Sequence, residues 1–511
     1  MENKTLTKNA GETSFGTMLS RILGYVRDMF VANLFGAGIF ADAFYAAFRI
    51  PNLFRRLFGE GSFSAAFVPV FSEYLHTKEK NETQKFLNVV FTALLLILIV
   101  ISILGMFFAP VLVRVIAWGF TNDPEKMQLT IELTRLMFPF ILFICLAAFL
   151  LAILNTLHSF FIPAFAPSAL SCSEIFYVLT LAPILISENQ IKGLAVSVII
   201  GGALHFFIQY PKLKNLGWNL KFKMDFKHPG IRKIVLLMIP SVIGLSVDQI
   251  NAFVDNICAS FLVSGSITAL YYSNRLMQLP LAMFGLAFAT VSLPVMSKAY
   301  AKKDMITLKK SLNYSIRSTV FILFPAATGL MVIGLPIVKL LFEHGKFDSL
   351  ASLMTNNALF FYSLGLPAYA VAKIFANAFY SFQDTKTPVK TAIWAMSLHI
   401  ILCVILMRPM GIGGLALATA ISSYFNFFLL AAYLKKRIGR LGFKKILFSG
   451  FKSMAASIIT GVVAGHIYKI SENLFISVTS SIILGLIVFI VISYILKSEE
   501  LKTFLHIFSE K

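Results

Sequence analysis

The sequence predicts an all-α integral membrane protein of fourteen transmembrane helices, arranged as two related six-helix halves with two helices appended. Three observations predict it: an apolar, charge-poor composition, apolar blocks of span length that recur almost end to end, and an internal repeat that relates the two halves. Of the 511 residues, 58% are hydrophobic, only 14% are charged and 51 are phenylalanine. The mean hydropathy of +0.80 is far from the balance of a soluble domain. A bilayer span needs about 20 apolar residues, and the intervals between the blocks leave no room for a separate soluble domain.

Apolar stretches bounded by proline, glycine and charge clusters place helices at 14–35, 39–75, 84–117, 128–155, 160–186, 191–211, 231–262 and 266–298. Six more follow at 309–342, 350–382, 387–407, 412–435, 446–469 and 475–497. Several exceed the bilayer thickness, so tilt, extension past the membrane, or kinks at Pro51, Pro280, Pro325 and Pro367 must absorb the excess. The opening residues MENKTLTKNAGETSF are polar and lack the apolar core of a removable signal peptide, so the first helix is expected to stay in the mature protein.

Basic loops stay on the cytoplasmic side. Following the alternation, one side receives Lys4 and Lys8, HTKEKNETQK, KLKNLGWNLKFKMDFKHPGIRK, KAYAKKDMITLKK, TKTPVK, KKRIGRLGFKK and the C-terminal tail. The other side receives short loops with few charges of mixed sign. Both termini are therefore expected in the cytoplasm, and the net charge of +21 reads as topology rather than as a nucleic-acid surface. Cys145, Cys172, Cys258 and Cys403 all lie in apolar stretches, without Cys-x-x-Cys spacing, so neither a disulfide framework nor a zinc site is expected.

The repeat is carried by ALYYSNRLMQLPLAMFG (269–285), which lies over AFYAAFRIPNLFRRLFG (43–59) and matches Tyr271 to Tyr45, Arg275 to Arg49 and Phe284-Gly285 to Phe58-Gly59. Further on, GLALATAISSYFNFFLLAAYLKKRIG (414–439) echoes GLAVSVIIGGALHFFIQYPKLKNLG (193–217). The halves then run over 1–217 and 218–440, with the last two helices and a tail in 441–511. Six spans per half is an even number, so both halves start on the same side, as in transporters whose site lies between parallel repeats.

Charges inside spans are costly, about 2.5–3.5 kcal/mol each on insertion scales, and normally face a bundle interior or a watery cavity. Thr17, Arg21, Gly24 and Asp28 fall on one stripe of the first helix, with Ser20 and Arg27 on the next. Asp42, Arg49, Asn52, Arg56 and Glu60 share a stripe of the second helix, bent by Pro51. Asn274, Arg275 and Gln278 lie at the repeat-related place, and Asp248 and Asp255 lie on the seventh helix. One reading makes these charges structural salt bridges, or arginines such as Arg55 and Arg56 snorkelling to the interface. The other notes that the polar seams of helices 1, 2 and 8 hold six arginines against three carboxylates, an excess that calls for an anion; guanidinium forks suit phosphate.

At these residues the chain resembles the MurJ (MviN) lipid II flippases of the multidrug/oligosaccharidyl-lipid/polysaccharide (MOP) exporter superfamily. The motifs are SRILGYVRD (20–28), FGAGIFADAF (35–44), PNLFRRLFGEGSFSAAFVPVFSEY (51–74), ILNTLHSFFIPAFAP (153–167), YYSNRLMQLP (271–280) and FYSFQDTKTPVK (379–390). The resemblance implies two lobes around a central cavity, alternating access, and outward movement of undecaprenyl-diphosphate-linked peptidoglycan precursor across the bacterial inner membrane. It puts the substrate-binding arginines at Arg21, Arg27, Arg55 and Arg275 and the acidic position at Asp42; Asp28, Arg56 and Glu60 also match, and Arg49 joins them through the seam. It implies no enzyme activity and no cofactor, a monomer, and lipid II and membrane lipids as partners without nucleic acid.

There are departures. Asn274 and Gln278 stand where some relatives have acidic residues. A sodium site proposed for some members would draw on Asp255 and Thr419, but His399 and Cys403 stand where oxygen ligands are expected, which weakens sodium coupling. Membrane potential is the other source of drive: two charges crossing about 100 mV gain about 4.6 kcal/mol. His205 and His399 read as core histidines and Lys373 as a candidate cavity lysine. Glu174, Arg114, Arg135 and Arg317 have no assigned role. The runner-up function is another exporter of the same superfamily, carrying a polysaccharide-lipid or a cationic drug; a drug site predicts an acidic lining. A membrane enzyme on polyprenyl phosphates would need acid/base or metal-ligand clusters that are absent from the sequence.

Overall fold

The computed structural model describes residues 2–56, 62–225, 227–439 and 442–509, with side chains for all of these except 2–10, 187, 240–248 and 505–509. Every described regular element is helical. The chain divides into two compact units, residues 1–267 with 345–347, and residues 268–344 with 348–511.

In the first unit α1 (Glu2–Phe35) ends at Gly36, whose φ of 65° suits only a residue without Cβ. α2 (Ile39–Phe54) carries Pro51 inside it, and Arg55 and Arg56 continue in a π turn before α3 (Phe63–Thr77). Proline lacks the N–H donor and crowds the carbonyl four residues back, and a widened turn relieves that clash. The expected single stretch 39–75 is thus two helices about a proline-driven distortion.

The same cause splits other stretches. Pro110 opens α5 (Ala109–Ile116) after α4 (Lys80–Phe107), and Pro139 separates α6 (Pro124–Met137) from α7 (Phe140–Thr156). Pro163, Pro167 and Pro183 break 160–186 into α8 (Phe161–Phe165), α9 (Ser168–Phe176), a π segment Tyr177–Leu181 and a 3-10 turn. α10 (Ser187–Asn215) and α11 (Pro229–Ser260) complete the unit.

Its core is aromatic. Phe63, Phe67, Phe71, Phe86 and Phe149 are buried together with Leu150 and Ile153. Phe67 stacks on Phe63 at 5.4 Å and meets Phe149 edge-on at 5.1 Å. Among the described residues, part of the phenylalanine abundance is therefore interhelical packing, in a solvent where apolar burial alone gives little drive. Close backbone approach matters too. Gly119 donates its N–H to Ser260 Oγ at 2.9 Å, and a Cβ there would collide with the Ser260 backbone. Gly119→Ala is expected to lower the melting midpoint by the equivalent of about 1–3 kcal/mol, whereas Gly329→Ala, which meets open space, leaves it unchanged.

The second unit begins with α12 (Ser266–Pro280), a π segment Leu281–Gly285, and α13 (Leu286–Ala301). The π segment falls where the internal repeat places Arg55–Gly59, so both copies are distorted at the same point. α14 (Met305–Val332), α15 (Gly334–Phe342) and α16 (Ser349–Ser381) follow, with α14 and α16 running on through Pro325 and Pro367. The two expected stretches 387–407 and 412–435 form α17 (Lys386–Ile438), interrupted at Gly411 by φ of 55° and ψ of −132°. α18 (Phe443–Ile467) and α19 (Leu474–Ile495) precede α20 (Glu499–Ser509), a helix the sequence reading left as tail. Met296, Leu312, Phe375, Phe379, Leu430 and Leu434 centre the core.

Helix covers most of each of the fourteen expected stretches within the described residues, and nine helical segments there are long and apolar enough to cross a membrane. Charges on α1 and the proline breaks of α2–α3 and α8–α9 keep others below that length and apolarity.

A polar knot, buried at Glu500 and exposed at Glu499, fixes α20. Arg317 of α14 donates to Glu499 Oε2 at 2.6 Å and Glu500 Oε1 at 2.5 Å, and Glu500 also accepts from Ser449 and Ser498, each at 2.7 Å. Burial pushes the Glu500 carboxyl up, but these donors outweigh it and hold the group below its ordinary range; the Arg317 bond lowers Glu499 as well. A depressed folded-state pKa stabilises above the unfolded value, and that contribution is lost as pH falls through the folded one. Protease protection of the C-terminal helix is expected to be full at neutral pH and to disappear only below about pH 4.

Candidate functional site

The charged stripes of α1 and α2 arise because helical spacing lines Arg21 and Asp28 along one side and Asp42, Arg49 and Arg56 along another. Arg27, one residue from Asp28, wraps sideways round the helix. Its Nε and Nη2 donate to Asp28 Oδ1 at 3.0 and 2.7 Å, and its Nη1 to Glu174 Oε1 of α9 at 3.4 Å. The Arg27 side chain is 11% exposed, and those of Asp28 and Glu174 are 1% and 4%. One guanidinium therefore ties two buried carboxylates on different helices, which satisfies charges that could not otherwise be buried.

Asp42, in the first turn of α2, is committed differently. Its Oδ2 accepts from Lys126 Nζ of α6 at 2.8 Å and from the Gly265 N–H at 2.7 Å. Lys126, itself buried, lies over the Phe120 ring at 4.3 Å and reaches Ser264 Oγ at 3.4 Å. Lys126 is held at this depth because Asp123 caps α6 through the Lys126 N–H at 3.1 Å.

Arg49 donates to the Ala252 carbonyl of α11 at 2.5 Å, and Arg55 to Asn52 Oδ1 at 2.8 Å. Both are half-buried, as are Arg56 and Asp255, while Arg21 is exposed. Glu60 lies outside the described residues, and so does the Asp248 side chain. The first unit thus carries Arg21, Arg27, Asp28, Asp42, Arg49, Arg55, Arg56 and Asp255; Arg275 and Thr419 belong to the second unit.

In the second unit Arg275 is half-buried on α12, where Gln278 donates to Asn274. The polar side chains on either side of Arg275 are therefore amides bonded to each other. Fully buried His399 lies 3.2 Å from Thr419 Oγ1 and 3.3 Å from Cys403 Sγ, both contacts through Nε2.

Glu174 and Lys126 are the functional candidates the sequence stripes missed. Glu174 is a lone charge in its stretch and Lys126 lies among the loop charges Asp123 and Glu125, and only the packing of α9 on α1 and of α6 on α2 brings them to Arg27 and Asp42. The one sequence signal is a carboxylate inside the apolar, serine-rich run SALSCSEIF.

A chain whose described elements are all helical, with many apolar spans, repeat-related π distortions and half-buried arginines in its first two helices, has the build of a membrane transporter. The solved structure "Inward-facing conformation of a multidrug resistance MATE family transporter of the MOP superfamily" has the same fold, at TM-score 0.67 and 14% identity over 85% of this chain and 98% of that one. The chain belongs to the lipid II flippase MurJ family, whose family model matches residues 31–488. It is 38% identical to "Probable lipid II flippase MurJ" of Vibrio cholerae over 90% of this chain and 89% of that protein. It is 36% identical to "Lipid II flippase MurJ" of Burkholderia cenocepacia over 82% of both. The structure "Lipid II flippase MurJ, inward closed conformation" matches at TM-score 0.81 and 30% identity, covering 95% of this chain and 98% of that one. The chain is accordingly a multi-pass inner-membrane transporter.

Proposed function

We propose that this chain carries lipid II, the undecaprenyl-diphosphate-linked disaccharide-pentapeptide, from the inner to the outer leaflet by alternating access. The near full-length match to lipid II flippases carries the reading, and the arginines of α1 and α2 give it chemistry. Arg21, Arg27, Arg55 and Arg275 capture the diphosphate, with Arg49 and Arg56 contributing positive potential and Asp28, Asp42 and Glu60 setting its shape. Bidentate guanidinium contacts suit phosphate oxygens, and the bound anion screens arginine repulsion so that the lobes close inside and open outside.

The array is fourteen spans, in lobes 1–217 and 218–440 around a cavity, with 441–511 appended and both termini cytoplasmic. It works as a monomer, without cofactor or nucleic acid. The prenyl tail stays in lipid while sugar and peptide cross. A potential negative inside drives the anion outward, by about 2.3 kcal/mol per charge per 100 mV.

Complementation of a flippase-depleted bacterium, with surface-exposed lipid II measured directly, tests the reading. Rescue with restored surface lipid II is expected from the parent chain, and Arg275→Ala at equal membrane abundance is expected to lose both. A folded, abundant parent that leaves lipid II inside would assign this chain a different lipid-linked cargo.

A further inference from the structure

The second unit carries a cationic cleft that the transport reading does not use. It has a volume of about 420 Å³ and is lined by Lys309, Lys310, Asn313 and Arg317 of α14, by Lys445 of α18, and by Thr503 of α20. The carboxylates on its wall are already spent, since Glu499 and Glu500 both bind Arg317. Lys309, Lys310 and Lys445 make no ion pair among the described residues. Three ammonium groups from two helices thus converge on one cleft of a size that holds small ligands.

The depth of the cleft identifies its occupant. Phe321, one turn beyond Arg317 on α14, stacks on Phe504 of α20 at 6.1 Å, and Phe504 also meets Phe288 at 6.5 Å. Leu501 is buried against Phe321, Ala456 and Phe489. One side of α20 is therefore apolar and packed on the span helices, while the cleft lies toward the start of α14. From Lys309 to Arg317 the helix rises about 12 Å, enough to cross the roughly 5–8 Å headgroup layer at one face of a bilayer and reach the edge of the hydrocarbon. We propose that this cleft binds the phosphate of an anionic phospholipid headgroup, through Lys309, Lys310 and Lys445, and that the bound lipid clamps α20 against α14 and α18. The lysine and arginine bias puts this face on the cytoplasmic leaflet, where anionic lipids recruit basic clusters.

The test is the melting midpoint of the purified full-length protein in neutral detergent, titrated with short-chain phosphatidylglycerol, short-chain phosphatidylcholine or inorganic phosphate. A saturable rise with phosphatidylglycerol alone is expected. Lys309→Gln/Lys310→Gln/Lys445→Gln should shift that titration by about tenfold or more, while Lys298→Gln/Lys302→Gln/Lys303→Gln, which removes equal charge elsewhere, leaves it in place. Because none of the three cleft lysines makes an ion pair among the described residues, the cleft variant should melt close to the parent when lipid is absent. An equal shift in both variants, or none in either, makes the cleft an ordinary solvated basic face and overturns the proposal. Saturation by inorganic phosphate at the same concentrations as lipid would keep the anion site but remove the headgroup from it.

Discussion

Arg27→Ala is expected to lower surface-exposed lipid II by about a hundredfold or more in a flippase-depleted bacterium, because a buried, hydrogen-bonded charge is worth about 2–5 kcal/mol to what it holds. The variant also takes the shared guanidinium from two buried carboxylates, Asp28 and Glu174, at a stability cost of about 3–5 kcal/mol, so loss of transport alone would be ambiguous. Arg27→Ala/Asp28→Asn/Glu174→Gln removes those two charges as well and should restore membrane abundance to nearly the parent level. If Arg27 grips the diphosphate, the triple variant is abundant and still inactive. If it transports normally, Arg27 serves only to join α1 to α9. Arg27→Lys keeps the charge but not the fork that spans both carboxylates, and is expected to fall between parent and alanine. Glu174→Gln alone loosens one arm of the guanidinium at 3.4 Å; it should alter the lipid II concentration giving half-maximal transport more than the maximal rate, a split that a purely structural role would not produce.

Helical periodicity made the stripes of α1 and α2 legible because Arg21, Asp28, Arg49 and Arg56 sit on helices whose faces follow from spacing alone. It also made the fourteen helical stretches legible, since apolar length and flanking charge are local. What it could not supply was partnership. The count of six arginines against three carboxylates left positive charge over without saying where, but Glu174 comes from α9 and supplies a further carboxylate to Arg27. The expected kinks at Pro51 and Pro280 coincide with π turns at Arg55–Arg56 and Leu281–Gly285, whereas Pro110, Pro139, Pro163 and Pro167 broke stretches that were read as continuous. Hydropathy averages over such breaks; the missing N–H does not. α20 was missed for a related reason: its docking rests on Arg317 pairing with Glu499 and Glu500 across more than 180 residues of sequence, a distance no local pattern spans.

Lys126→Met is expected to destabilise the protein by about 3–5 kcal/mol, the second large effect, because it leaves the Asp42 carboxylate, 1% exposed, with its lysine gone. Methionine keeps the apolar stem and its contact with Phe120, so the loss measures the missing ammonium group rather than a cavity. The Gly265 N–H still donates to Asp42, and that turn has little freedom to adapt: Gly265 has φ of 93°, and a Cβ there would press on the Ala37 backbone. Neutral donors do not replace a paired cation for a buried carboxylate. Asp42→Asn/Lys126→Met removes both charges and keeps an amide able to meet the Gly265 N–H, so it should recover most of the loss. The double-mutant coupling, read from melting midpoints at fixed detergent and pH, should be at least about 2 kcal/mol. A Lys126→Met variant within about 0.5 kcal/mol of the parent would mean that Asp42 finds water or another donor when the lysine is gone. In that case Asp42 is open to a ligand, and its place in the substrate site gains support. A large coupling with the double variant still able to transport makes Asp42 a structural anchor for α2, and moves the anion-binding work wholly onto the arginines.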